Sequence, residues 1–180
     1  MKFTLDTNCL IDIEQGRPRA AAVRELLAMA ETGLVEVAVV AISASERQPT
    51  QESSESFTEF QARLAAIGLA DLEILMPLGY LDLTYVEWCL VGDDAMEDEV
   101  RSIHQTLFPA SGYDHPGEDA PLPDQRKWRN RRCDTLAIWS HIYHHRDVFV
   151  TSDANFLKRA SALGVRVCEP KDACSEAATA

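Results

Sequence analysis

The sequence predicts an α/β domain, a three-layer sandwich built on a central, mainly parallel sheet. Two observations carry this. Short β-branched runs alternate with stretches of helical periodicity along the chain, the pattern of strand–helix–strand units. The run from Val35 to Ile42 is almost continuously apolar, as a strand covered on both faces requires. A third observation gives the sheet a purpose, because acidic residues follow directly on several of these runs. Ligands of such sheets bind beyond the carboxyl ends of the strands, where strand order reverses.

Residues 2–5 form the first expected strand, and Asp6-Thr7-Asn8 its exit turn. A helix follows from Cys9 to Gln15, is broken at Arg17-Pro18, and resumes from Ala20 to Glu31. Val23, Leu26, Leu27 and Ala30 give that second helix one apolar face, and Gly33 suits its C-terminal cap. Glu46 lies just beyond the strand at 35–42. Residues 47–56 read as a polar loop that leads into a helix from about Glu55 to Ile67, with Phe57, Phe60, Leu64 and Ile67 on one side. Leu72–Met76 is a third strand, ended by Pro77.

The segment 77–123 is read as a partly helical insertion in a single domain spanning 1–170. Its clearest element is a helix over Asp93–Leu107 with an acidic first turn. Pro123-Asp124 opens a long helix to about His145. Val148–Val150 is a strand running into Thr151-Ser152-Asp153, a helix follows from Ala154 to Leu163, and Gly164 separates it from a last strand at 165–168. Residues 171–180 are rich in Ala, Ser and Thr and read as a flexible tail.

Composition narrows the function classes. At 180 residues the chain can bury a full core without staples. No apolar run is long enough for a membrane span and the first residues lack a signal-peptide pattern, so the expected location is cytoplasmic, with no membrane partner. Five widely spaced cysteines without a C-x-x-C motif point to reduced thiols. A net charge of -12 repels phosphate backbones, so any nucleic-acid function needs bound cations or a local basic patch.

Asp6, Glu46 and Asp153 each follow a strand, and Asp134 lies on the helix leading into the strand before Asp153. Carboxylates gathered on one rim repel unless they are protonated or bridged by a cation. Oxygen ligands favour Mg²⁺ or Mn²⁺, and one or two such ions activate water and polarise a phosphodiester. Taken singly, each of these acids is equally a helix N-cap or loop residue.

The stretches Leu5-Asp6-Thr7-Asn8-Cys9-Leu10-Ile11-Asp12 and Val148-Phe149-Val150-Thr151-Ser152-Asp153-Ala154-Asn155-Phe156, with Glu46 between them, resemble the PIN-domain family, which includes VapC-type toxin ribonucleases. The resemblance implies a metal-dependent nuclease that cuts single-stranded RNA, with Asp6, Glu46, Asp134 and Asp153 as its acids and metal ligands. It makes Thr7, Asn8, Ser152 and Asn155 polar supports, and a homodimer with an antitoxin protein the implied assembly. Two departures stand out. The segment 77–123 has no counterpart in the family pattern, and Asp134-Thr135-Leu136-Ala137-Ile138 differs from the usual run around the third acid.

Arg126, Lys127, Arg129, Arg131 and Arg132 put five cations near Asp134, with Trp128 available to stack on a base. The same cluster also reads as a solvated helix face paired with surface acids. His141, His144 and His145 suit the C-terminal end of a helix, and the stripe Trp139, Ile142, Tyr143 suits core packing. The leading expectation is a Mg²⁺- or Mn²⁺-dependent endoribonuclease. The alternative is a non-catalytic PIN-like module that regulates by binding RNA or protein. A receiver-type phosphotransfer domain would need a strand-end lysine near the acids, and none of the readable strands ends in one.

Overall fold

The computed structural model describes residues 1–46 and 56–179. Five strands, β1 (Lys2–Leu5), β2 (Glu36–Val40), β3 (Glu73–Leu75), β4 (Val148–Val150) and β5 (Arg166–Cys168), form one sheet in the order β3-β2-β1-β4-β5. Every neighbouring pair is parallel. After β1 the chain builds outward through β2 to β3, then crosses back to place β4 on the other side of β1. Strand order therefore reverses between β1 and β4.

Alternation along the strands sorts side chains into two cores. Phe3, Leu5, Val37, Val39, Val148 and Val150 face one layer, formed by α1 (Thr7–Glu14), α2 (Ala20–Glu31), α3 (Phe57–Ala66) and α7 (Pro170–Ala177). Ala38, Val40 and Phe149 face the other, formed by α4 (Asp94–Leu107), α5 (Leu122–Tyr143) and α6 (Ala154–Arg159). Helices on both faces of a parallel sheet make the expected three-layer sandwich. The segment 77–123 belongs to this second layer, since Val100, Ile103 and Leu107 of α4 lie in the core with Leu136 and Trp139 of α5.

Four expectations need correction. The strand expected to reach Ile42 stops at Val40, and Ala41–Ala44 coils into a 3₁₀ turn whose residues stay buried, so Glu46 follows this turn and not a strand. An apolar run cannot distinguish the two, because burial on all sides suits both. The expected flexible tail is helical over residues 171–177: α7 starts with Pro170 in its first turn and buries Ala173, Cys174 and Ala177. Small side chains let α7 approach α2 closely, Cys174 Sγ bonds the Ala22 carbonyl at 3.1 Å, and Arg166 pairs with Glu176 at 2.9 Å. Ending the chain after Glu169 is expected to lower the melting temperature by roughly 5–10 °C, a loss of a few kcal/mol measurable by thermal unfolding. The first helix starts at Thr7, two residues early, because Asp6 caps it. Ile142 and Tyr143, expected as core, are about 40% exposed, and only Trp139 of that stripe is fully enclosed.

The expected loop over 47–56 lies almost wholly outside the described residues. No helix among the described residues is long and apolar enough to cross a membrane. The five cysteines are free thiols.

Candidate carboxylate centre

Asp6 follows β1 at the reversal point and caps the start of α1, with its backbone N–H bonded to the Val150 carbonyl of β4 at 3.0 Å. Its side chain is 5% exposed and is held by three donors. Oδ1 accepts from the Thr7 backbone N–H at 2.8 Å, and Oδ2 accepts from Asn8 Nδ2 at 3.0 Å and Thr151 Oγ1 at 2.6 Å. Thr151 Oγ1 in turn accepts the Asp153 N–H at 2.9 Å, so one hydroxyl joins the first acid to the last across the switch point. Asp153 Oδ1 caps α6 by accepting from the Asn155 and Phe156 N–H groups, which leaves Oδ2 without a donor among the described residues.

Helix capping and placement at the switch point therefore coincide in both residues. A cap bond fixes one carboxylate oxygen and aims the other, which is what a ligand needs.

Electrostatics put all four acids in one field. Burial raises Asp6 to about 7, and Glu46 adds to this; hydrogen bonds from Thr151, Thr7 and Asn8 pull it partly back. Glu46 is raised first by burial and then by Asp153, against the pull of a Thr7 hydrogen bond and Arg63. Asp134 is raised well above the usual range by burial and then by Glu46, Asp6 and Asp153, with Arg131 opposing. Thr7 Oγ1 lies 2.9 Å from Ser43 Oγ and also reaches Glu46, so its single proton serves one neighbour at a time.

Among the described residues no three His, Cys, Asp or Glu side chains are gathered as a ready-made metal shell. The donor set nonetheless fits a hard divalent cation: carboxylate oxygens, mutual repulsion, and proton affinities raised by burial beside other acids, which a cation would relieve.

The remaining expected site residues divide. Arg126 and Lys127 are exposed, and Lys127 lies 4.0 Å from Asp124. Arg129 ties loops together, Nε donating to the Ser45 carbonyl at 3.1 Å and Nη1 to the Asp82 carbonyl at 2.8 Å. Arg131 sits over the Phe108 ring at 5.8 Å. Trp128 is pinned by its indole N–H to the Tyr113 carbonyl at 2.9 Å. Ser152 is half-buried beside Asp153.

Two residues do not serve as expected. Arg132 is 3% exposed, lies flat on Tyr113 at 3.6 Å, and bonds Tyr113 O and Tyr80 Oη, so it is closed to substrate. Asn155 turns its amide away to the Leu107 carbonyl at 3.3 Å, joining α6 to α4. Of the histidines at the end of α5, two are structural: His141 Nδ1 meets Thr4 Oγ1 at 3.0 Å under the sheet, and His144 Nε2 meets the Met76 carbonyl at 3.0 Å.

Sequence reasoning missed Thr151 and Ser43. Thr151 had a visible signal, as a hydroxyl residue placed directly at a strand end beside an acid; Ser43 was hidden by the unforeseen 3₁₀ turn. A separate cavity of about 600 Å³, lined by Leu27, Val35, Val37, Leu69 and Glu73, opens at the opposite end of the sheet and includes none of the four acids. No protein-family model matches the chain, and no curated protein matches it.

Proposed function

We propose that the protein is a divalent-metal-dependent endoribonuclease of the PIN-domain type, cutting phosphodiester bonds of single-stranded RNA. One observation carries the reading: Thr151 bonds Asp6 and accepts from Asp153 across the β1/β4 switch point, with Glu46 and Asp134 in the same field. Asp6, Glu46, Asp134 and Asp153 would hold Mg²⁺ or Mn²⁺, which supplies Lewis acidity toward the phosphodiester and lowers the pKa of water.

The chain's own residues do the positioning. Thr7, Asn8 and Thr151 fix the Asp6 carboxylate, the α6 N-terminus fixes Asp153, and Arg131 tempers Asp134. The described thiols nearest the acids, Cys9 and Cys133, are not poised as nucleophiles, since they are buried and their pKa values are pushed well up by burial. In this reading the protein works in the cytoplasm, where toxin action, an antitoxin partner and a homodimer are the assembly that goes with the family resemblance.

Purified protein is expected to cut single-stranded RNA in Mn²⁺, to lose this in EDTA, and to regain it when Mn²⁺ returns. Cleavage that persists unchanged in EDTA after dialysis would overturn the reading. The non-catalytic alternative predicts RNA binding with no cutting under any divalent ion.

A further inference from the structure

At the N-terminal end of α5, the helix that carries Asp134, lies a small cavity of about 190 Å³ that the acids do not explain, lined by His115, Leu122, Gln125, Arg126, Trp128 and Arg129. Two of its lining residues, His115 and Leu122, fall in the segment 77–123 that has no counterpart in the family pattern, and the other four follow on α5. Arg129 links it to the acids, because this cavity-lining side chain donates to the carbonyl of Ser45, the residue before Glu46.

The cavity is built. Gln125 Nε2 donates to the Glu118 and Ala120 carbonyls at 2.9 and 2.8 Å, which folds the 117–121 turn onto α5. Trp128 is fixed through its N–H, and His115 meets it edge to face with ring centroids 4.6 Å apart. His115 Nδ1 accepts the Gly117 N–H at 3.1 Å, so in the neutral ring the proton sits on Nε2 as a free donor. Arg126 is exposed, and no carboxylate pairs with it among the described residues. Leu122 leaves an apolar side chain 67% exposed at the rim.

An edge-to-face ring pair, an apolar rim, a ring N–H and a cation unpaired among the described residues match one nucleotide: a base against one ring face and a phosphate on the guanidinium. A volume below that of sites for drug-sized ligands suits a single base and not a longer segment. We infer that this cavity is a nucleotide subsite holding one base of single-stranded RNA next to the scissile bond. The inference rests on the ribonuclease reading for its ligand, and an acidic protein segment would explain the cation without explaining the rings.

The test separates binding from cutting. A short single-stranded RNA is titrated in EDTA, with polyaspartate of equal charge as comparator. Arg126→Ala is expected to weaken RNA binding about 10-fold and to reduce the salt slope of log K by about 0.7, one phosphate contact. His115→Ala is expected to weaken it at least about 5-fold while leaving that slope unchanged. Both side chains are exposed, so thermal unfolding should be unaltered, and in Mn²⁺ both variants should raise KM with kcat retained. Unchanged RNA affinity in both variants overturns the subsite even if the protein cuts RNA. Weakened binding in variants of a protein that never cuts upholds the subsite and overturns only the nuclease reading. Polyaspartate binding as tightly as RNA, with the same sensitivity to both variants, overturns it in favour of an acidic protein partner.

Discussion

Asp6→Asn should lower Mn²⁺-dependent RNA cleavage by about 100-fold or more and yet make the protein harder to melt at pH 8. The two effects have one source. Asp6 is nearly inaccessible to solvent, and its folded-state pKa is raised from 3.8 to about 7. A raised pKa means that the folded state holds the proton more tightly than the unfolded chain does. The stability contributed by that proton is fully present below pH 3.8, declines as pH rises, and is gone above about 7. The decline amounts to something on the order of 4 kcal/mol.

Asparagine carries no charge, so its stability should not follow that slope. It keeps an acceptor for the Thr7 N–H but presents an amide to at least one donor that Asp6 satisfied, which costs roughly 1–2 kcal/mol at every pH. The melting temperature of Asp6→Asn relative to wild type should therefore rise by several degrees between pH 4.5 and pH 8 in EDTA. A difference that stays constant with pH would show that Asp6 is not held under electrostatic load. Adding Mn²⁺ at pH 8 should stabilise the wild type and leave Asp6→Asn nearly unmoved.

Arg132→Ala is expected to destabilise the fold by about 3–5 kcal/mol, the largest loss among the basic cluster. The guanidinium is buried, donates to the Tyr113 carbonyl at 2.9 Å and to the Tyr80 hydroxyl at 3.3 Å, and covers the Tyr113 ring. Tyr80 and Tyr113 both donate to Glu97 of α4, so a cation on α5 is joined through two phenols to an anion on the neighbouring helix. Removing the cation leaves the Tyr113 carbonyl with the Trp128 indole N–H as its side-chain donor, takes the counter-charge from the Tyr80–Tyr113–Glu97 network, and opens a gap between rings. Chemical denaturation should show the loss directly. An Arg132→Ala protein of wild-type stability, with weakened RNA binding, would return Arg132 to the substrate surface.

How much of this was legible in the chain differs from feature to feature. The sheet was readable because its strands lie in short apolar runs set between stretches of helical periodicity, and Asp6 and Asp153 because they follow such runs. Glu46 was placed beside the right element with the wrong lead-in, since Ala41 to Ala44 are as apolar as the strand before them. Helix α7 was invisible because its contacts are made by alanines and a cysteine, residue types that look like filler until a partner helix lies against them; Pro170 at its start was the available sign. Arg132 could not have been separated from its exposed neighbours. Its partners Tyr113 and Tyr80 lie 19 and 52 positions away, and nothing local in a basic run tells which cation turns inward.

The bond from Thr151 to Asp6 spans 145 positions of chain. Strand β1 leaves the ribosome well before its second neighbour in the sheet, β4, whose Val148 pairs with Phe3 across the long intervening chain. Until then β1 has an open edge, Asp6 lacks the hydroxyl that orients it, and Asp153 has not been synthesised. Closure of so long a loop is slow relative to local helix formation. A growing chain is thus unable to assemble its carboxylate centre until β4 and Asp153 have been made, and under the proposed nuclease function that order of synthesis would keep the nascent protein inert beside the RNA that encodes it.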